Sequence, residues 1–168
     1  LQRRIRQQDI MNQVLAAMQA SQDLDRIVHV ILCALTFGQG LEFNRAFFLT
    51  RENDELVGAM AVGPIDGAEA ASIWQTDELK RLSLEELLQS LDEEGMDTAI
   101  NKLVKSIRFN LAIAPQVMRD ALVQGGIYEL HRADSREPGT IKVLEILQTD
   151  KCWFTPIFKR SSAGSTQW

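Results

Sequence analysis

The chain has 168 residues, 45% of them apolar and 24% charged. A chain of this size buries roughly 70% of the surface its unfolded form exposes, so it needs neither a disulfide nor a metal to fold. Its net charge of -5 weighs against a nucleic-acid partner, because phosphate binding is driven by clustered Lys and Arg. The two cysteines, Cys33 and Cys152, stand far apart and form no CxxC pair, which fits a reducing compartment. The longest apolar run, Ile27 to Phe37, is too short to cross a bilayer and is interrupted by His29. The first residues are polar and basic with no apolar block behind them, so no signal peptide is visible. These features predict one soluble cytoplasmic domain without membrane insertion.

Residues 2–20 carry Ile5, Met11, Val14, Leu15 and Met18 among Gln and Arg, which predicts a helix. The cluster Arg3-Arg4-Ile5-Arg6 reads as its solvated end. The apolar stripe is narrower than a core helix needs. Residues 1–22 are therefore expected to leave the domain and form a homodimer with a second copy about a two-fold. Ser21-Gln22-Asp23 supplies capping side chains for a second helix, in which Leu24, Ile27, Val28, Ile31 and Leu35 recur at three and four. Its Ile27/Ile31/Leu35 face is expected to lie on the sheet. Gly38 and Gly40 end it.

The period then changes. Phe43 to Thr50 and Glu55 to Val62 are rich in aromatic and branched residues and flank the polar Arg51-Glu52-Asn53-Asp54, a β-hairpin signal closed by Gly63-Pro64. A long helical stretch follows. Ser72 with Gln75 and Ser83 with Glu86 have capping-box spacing. Leu84, Leu87, Leu88 and Leu91 form one apolar stripe, and Ile100, Leu103, Val104, Ile107 and Leu111 another, with Gly95 between them. Ala114-Pro115 opens a further helix through Leu122, stopped by Gly125-Gly126. Ile127 to Leu130 reads as a short strand and His131 to Gly139 as a polar loop. Thr140 to Leu147 reads as a helix on the spacing of Ile141, Leu144 and Glu145. Cys152 to Phe158 reads as a strand in which Pro156 marks an edge or bulge, and residues 161–165 as a turn.

The motifs that carry chemistry are missing from this sequence. Gly63 and Gly67 lack the following Lys and Ser/Thr of a phosphate loop, and neither HExxH, an EF-hand loop nor GxSxG occurs. His29 and Cys33 are four apart on one helix, but no second pair accompanies them to complete a three- or four-ligand metal site. His131-Arg132-Ala133-Asp134 has its Asp one place late for a kinase catalytic loop and reads as a solvated connection. No catalytic or metal-binding set is therefore assigned. Trp74, Tyr128 and Trp153 are the large aromatics placed to wall a cavity, although such residues are more often core.

Two stretches together resemble the GAF family of sensory modules. One runs from Leu24-Asp25-Arg26-Ile27-Val28 through Gly40-Leu41-Glu42-Phe43-Asn44-Arg45-Ala46-Phe47-Phe48-Leu49; the other is Leu56 to Pro64, with Val62-Gly63-Pro64 at its end. Val117 to Glu129 and Phe154-Thr155-Pro156-Ile157-Phe158 resemble later elements of the family, so the match covers most of residues 24–160. The resemblance implies an α+β fold over residues 23–168: an antiparallel sheet flanked by helices, with the long N-terminal helix before it and an inserted helical stretch from Lys80 to Leu111. It also implies that the natural chain continues past Trp168 into a final strand and a closing helix. The region from Val117 to Leu130 holds no Cys of the kind that bilin-binding members use. The residue set of cyclic-nucleotide binders is absent from residues 1–168, and part of that motif has room to lie beyond Trp168.

What the resemblance implies for function is a regulatory domain rather than an enzyme. It would bind a small ligand, of no assigned identity, or relay a signal to a covalently linked output domain such as a histidine kinase. The alternatives are a ligand-free dimerisation and relay module, or a methionine sulfoxide reductase of the same family, although Cys33, on a helix, and Cys152, at a strand start, do not match the clustered redox set of such enzymes. Any cavity is expected opposite the Leu24 helix, walled by Phe48, Met60, Trp74, Met118, Tyr128, His131 and Trp153.

Overall fold

A computed structural model describes residues 2–19, 21–36, 43–75, 98–133, 135–160 and 166–167. Helices and antiparallel strands alternate irregularly along the chain, an α+β arrangement. The elements are α1 (Gln2–Gln19), α2 (Leu24–Thr36), β1 (Ala46–Glu52), β2 (Glu55–Val62), α3 (Gly67–Gln75), α4 (Ala99–Lys105), β3 (Arg108–Asn110), α5 (Gln116–Gln124), β4 (Tyr128–His131), α6 (Pro138–Ile146), β5 (Lys151–Phe154), β6 (Lys159–Arg160) and β7 (Thr166–Gln167). Among the described residues three sheets form, with strand orders β1-β2-β3, β4-β5 and β6-β7. The chain divides into two compact units, one made of Leu1–Thr50 and Gly58–Ser106, the other of Arg51–Val57 and Ile107–Trp168.

In the first unit α2 is the central element. It starts where the Asp23 carboxylate accepts the Asp25 amide at 3.0 Å, so the expected cap forms. Val28, Leu32 and Leu35, spaced four and three apart, pack on Ala46, Phe48, Met60 and Val62 of the hairpin. Val30 and Cys33 lie on the other side of the helix and pack against Val14 of α1, with Ile10, Ala17 and Met18 around them. The sheet-facing side of α2 is Val28/Leu32/Leu35, about one residue round from the expected Ile27/Ile31/Leu35 face, and Ile27 and Ile31 are only half-buried. The second half of α1 lies along α2 instead of leaving the domain, because Val14 and its neighbours are needed to cover Val30 and Cys33.

The Asp66 carboxylate accepts the Glu69 amide at 2.8 Å and caps α3, which begins five residues before Ser72. Ser72 is thus inside the helix and does not start it. The expected Ser83/Glu86 cap, the stripe from Leu84 to Leu91 and the break at Gly95 lie outside the described residues. Helix α4 begins at the capping residue Thr98, whose hydroxyl accepts the Asn101 amide. It approaches β2 so closely that a Cβ at Gly58 would sit 1.9 Å from the Val104 carbonyl oxygen.

In the second unit the tip of the hairpin pairs with β3. Asn53 adopts the left-handed backbone (φ 55) that asparagine tolerates in a turn. Glu55, Leu56 and Val57 stand opposite Asn110, Phe109 and Arg108, the Leu111 amide donates to the Asp54 carbonyl at 2.8 Å, and Arg108 bridges Glu55 at 3.5 Å. The expected helix through Leu111 therefore ends at Lys105. Ile107, Phe109 and Leu111 are all buried while Arg108 and Asn110 are exposed, which is a strand's alternation.

Helix α5 follows Pro115 and stops at Gly125 (φ 75). The Glu137 carboxylate joins the heads of two helices. One oxygen accepts the Gln116 amide at 2.8 Å and the other the Thr140 hydroxyl at 3.0 Å. Helices α5 and α6 both lie against β4. Met118, Ala121, Leu130, Val143, Leu144 and Leu147 are buried in this unit. The strand expected over Cys152 to Phe158 is shorter, Lys151–Phe154, and the turn expected over 161–165 lies outside the described residues.

Candidate functional site

Of the seven residues expected to wall a cavity, Phe48 and Met60 belong to the first unit and Met118, Tyr128, His131 and Trp153 to the second. The side chain of Trp74 lies outside the described residues. Phe48 and Met60 meet in the core beneath α2, where Met60 is buried against Val28 and Leu32. They face that helix, not the opposite side of the hairpin. Strand alternation explains the placement. Phe48 shares a face with Ala46, and Met60 with Val62, and this is the face α2 covers. Met118 is also fully packed, on the buried side of α5.

The remaining three residues sit on the β4-β5 ribbon. Its register sets Tyr128 opposite Phe154, Glu129 opposite Trp153, Leu130 opposite Cys152 and His131 opposite Lys151. Directly opposed residues of an antiparallel pair project to the same side, and successive residues alternate. Tyr128 therefore shares one face with Leu130, Cys152 and Phe154, where Leu130 is buried. His131 and Trp153 share the other face with Glu129 and Lys151. The ribbon brings His131 and Trp153 together and turns Tyr128 away from them.

That second face has a definite chemistry. Trp153 is half exposed at 48%. The Lys151 ammonium stands 4.5 Å from the centre of its indole ring and 2.9 Å from Glu129 Oε1. Contacts of this kind at exposed sites contribute about 0.5–1 kcal/mol for the cation over the ring and about 0–1 kcal/mol for the ion pair. They hold the lysine over one face of the indole. His131 ends β4 and does not begin a loop. The ladder runs one step past it, where the Arg132 amide donates to the Asp150 carbonyl at 2.8 Å. Reading the sequence for aromatic residues missed Glu129 and Lys151. The signal was present in Lys151-Cys152-Trp153-Phe154, where alternation groups Lys151 with Trp153.

Neither thiol is disposed for nucleophilic chemistry. Cys33 is fully buried between α2 and α1. Burial in the β4-β5 ribbon pushes the Cys152 thiol from 9.0 up to about 11, so it stays protonated at neutral pH. Among the described residues no group of three or more His, Cys, Asp or Glu is arranged to hold a metal ion. Among the same residues no helix is long and apolar enough to cross a membrane. Compared with known proteins, the chain matches no family model, no curated protein and no solved structure.

Proposed function

We propose that this chain is a regulatory domain of the GAF type that relays a signal between its sheet and its N-terminal helix, in a cytoplasmic protein with a covalently linked output domain. The observation that carries this reading is the double seating of α2. One side of the helix packs on Phe48 and Met60 of the hairpin, and the other packs on Val14 of α1. A packed helix transmits a shift at one face to the other, because close-packed interiors deform in discrete steps. The exposed Met11 and Leu15 on α1 supply the surface by which a homodimer would form and through which the output domain would be set.

The packing of Met60 and Phe48 against Val28 and Leu32 favours the ligand-free form of this reading in the first unit. The half-exposed Trp153 face, with Glu129, Lys151 and His131, favours a second form in which a small ligand docks on the β4-β5 ribbon. The raised Cys152 thiol and the buried Cys33 count against a thiol-based reductase.

Hydrogen exchange tests the relay. Phe48→Leu and Met60→Leu reshape the hairpin core while keeping it apolar. In the relay reading both variants change exchange protection in α1 as well as in α2, and both change self-association measured by sedimentation. Altered protection confined to the hairpin and α2 overturns the relay. Native mass spectrometry of the freshly purified protein tests the ligand form, and loss of any bound mass on Trp153→Ala locates it.

A further inference from the structure

Helix α1 has its charges sorted by end. Arg3, Arg4 and Arg6 occupy its first two turns, with no acidic residue in its first turn. From Gln7 to Arg26 the charged residues are Asp9 on the helix, then Asp23, Asp25 and Arg26 at the head of α2, so acidic residues outnumber basic ones there. Arginines at a helix N-terminus stand at the unfavourable end of the helix dipole. The other relevant feature is apolar. Met11 and Leu15, one turn apart, are 59% and 47% exposed, beside the seam where Ile10, Val14 and Ala17 meet α2. Asp23 and Asp25 are exposed as well.

We infer that α1 pairs with α1 of a second copy of this chain in the antiparallel sense, with Met11 of each copy beside Leu15 of the other. This rests on the homodimer proposed above and adds its geometry. Charge complementarity selects the direction. A parallel pair would set the three arginine positions of both copies side by side. An antiparallel pair sets them against the second copy's C-terminal end of α1, where the helix dipole is negative and Asp23 and Asp25 follow. With a rise of about 1.5 Å per residue, centring the pair between Met11 and Leu15 brings Gln19, the last residue of α1 in one copy, level with position 7 of the other, so the arginine positions come beside the turn that carries Asp23. The two helix dipoles then also oppose each other.

Single-cysteine cross-linking in a Cys152→Ser background tests the direction. Met11→Cys and Leu15→Cys proteins, mixed and oxidised, should give mixed disulfide dimers several-fold faster than either protein alone. Raised salt should slow the reaction by screening the end-to-end charges. Faster same-site than mixed cross-linking overturns the antiparallel geometry while leaving a homodimer in place. A monomer in sedimentation at high concentration overturns the homodimer itself, so the two failures are distinct.

Discussion

The side-chain oxygen of Asn101 accepts the backbone amide of Ala61 at 2.9 Å, inside the first unit. Strand β2 pairs with β3 only from Glu55 to Val57, so beyond Gly58 a side chain on α4 supplies a hydrogen bond that a neighbouring strand would otherwise make. The amide nitrogen of Asn101 in turn donates to the Thr98 hydroxyl at 2.9 Å, which ties the helix cap to the same contact. Asn101 is buried, at 6% exposure. Asn101→Ala leaves the Ala61 amide buried without this acceptor, and a loss of about 1–3 kcal/mol in urea unfolding is expected. A loss within error of zero would mean that the strand amide finds another acceptor.

At Gly58 α4 lies directly against β2. An alanine Cβ there meets the Val104 carbonyl oxygen at 1.9 Å and its carbon at 2.8 Å, both backbone atoms that cannot swing aside. Gly58→Ala is therefore expected to cost about 3 kcal/mol or more, at the severe end of overpacking. Gly67→Ala is the control. Its Cβ meets nothing within 4 Å, and the site opens α3, so this change should be neutral or stabilising by up to about 1 kcal/mol. Equal melting temperatures for the two variants would show that α4 does not hold its place on the strand.

The strongly periodic parts of the fold were legible. Leu24 to Leu35 repeats at three and four, and the hairpin announces itself through Asn53-Asp54 between two apolar runs. Reading failed where two periods overlap. Ile100, Val104, Ile107 and Leu111 fit a helix, while Ile107, Phe109 and Leu111 fit a strand over the same residues, and pairing with Leu56 decides for the strand. The face of α2 was misread for a related reason. The helix is covered on two sides, by α1 and by the hairpin, so its apolar residues spread over both and no single stripe names the sheet side. The candidate site was legible only in part, because sequence gives residue types but not which face of a strand meets a helix. Phe48 and Met60 turned inward, and Trp153 kept a charged neighbour in Lys151.

Leu32 separates the two faces of α2 energetically. It is 4% exposed and packed with Val28 and Met60, whereas Ile31 next to it is half-buried. Leu32→Ala should cost about 2–5 kcal/mol, as deleting a buried leucine does. Ile31→Ala should cost clearly less. Chemical denaturation of both variants against the parent gives the order, and a larger loss at Ile31 would restore the face that the sequence spacing favoured.

Cys152 links the β4-β5 ribbon to pH. Desolvation raises its thiol from 9.0 to about 11 in the folded chain, since the thiolate is the form that burial disfavours. Between those two values the folded state holds a proton that the unfolded state has released. Stability then falls as pH rises. The contribution is fully present below pH 9.0 and is lost progressively toward about pH 11. Cys152→Ser removes the titrating group, so the parent should lose stability more steeply than the variant across that window in unfolding curves taken at matched ionic strength. Alkylation by iodoacetamide gives an independent reading, because only the thiolate reacts. In the folded protein its rate should climb through about pH 11, whereas in urea it should climb near 9.0. A folded-state rate that rises near the unfolded value, with parent and variant parallel in stability, would mean that Cys152 is solvated and that the ribbon face it shares with Leu130 is open to water.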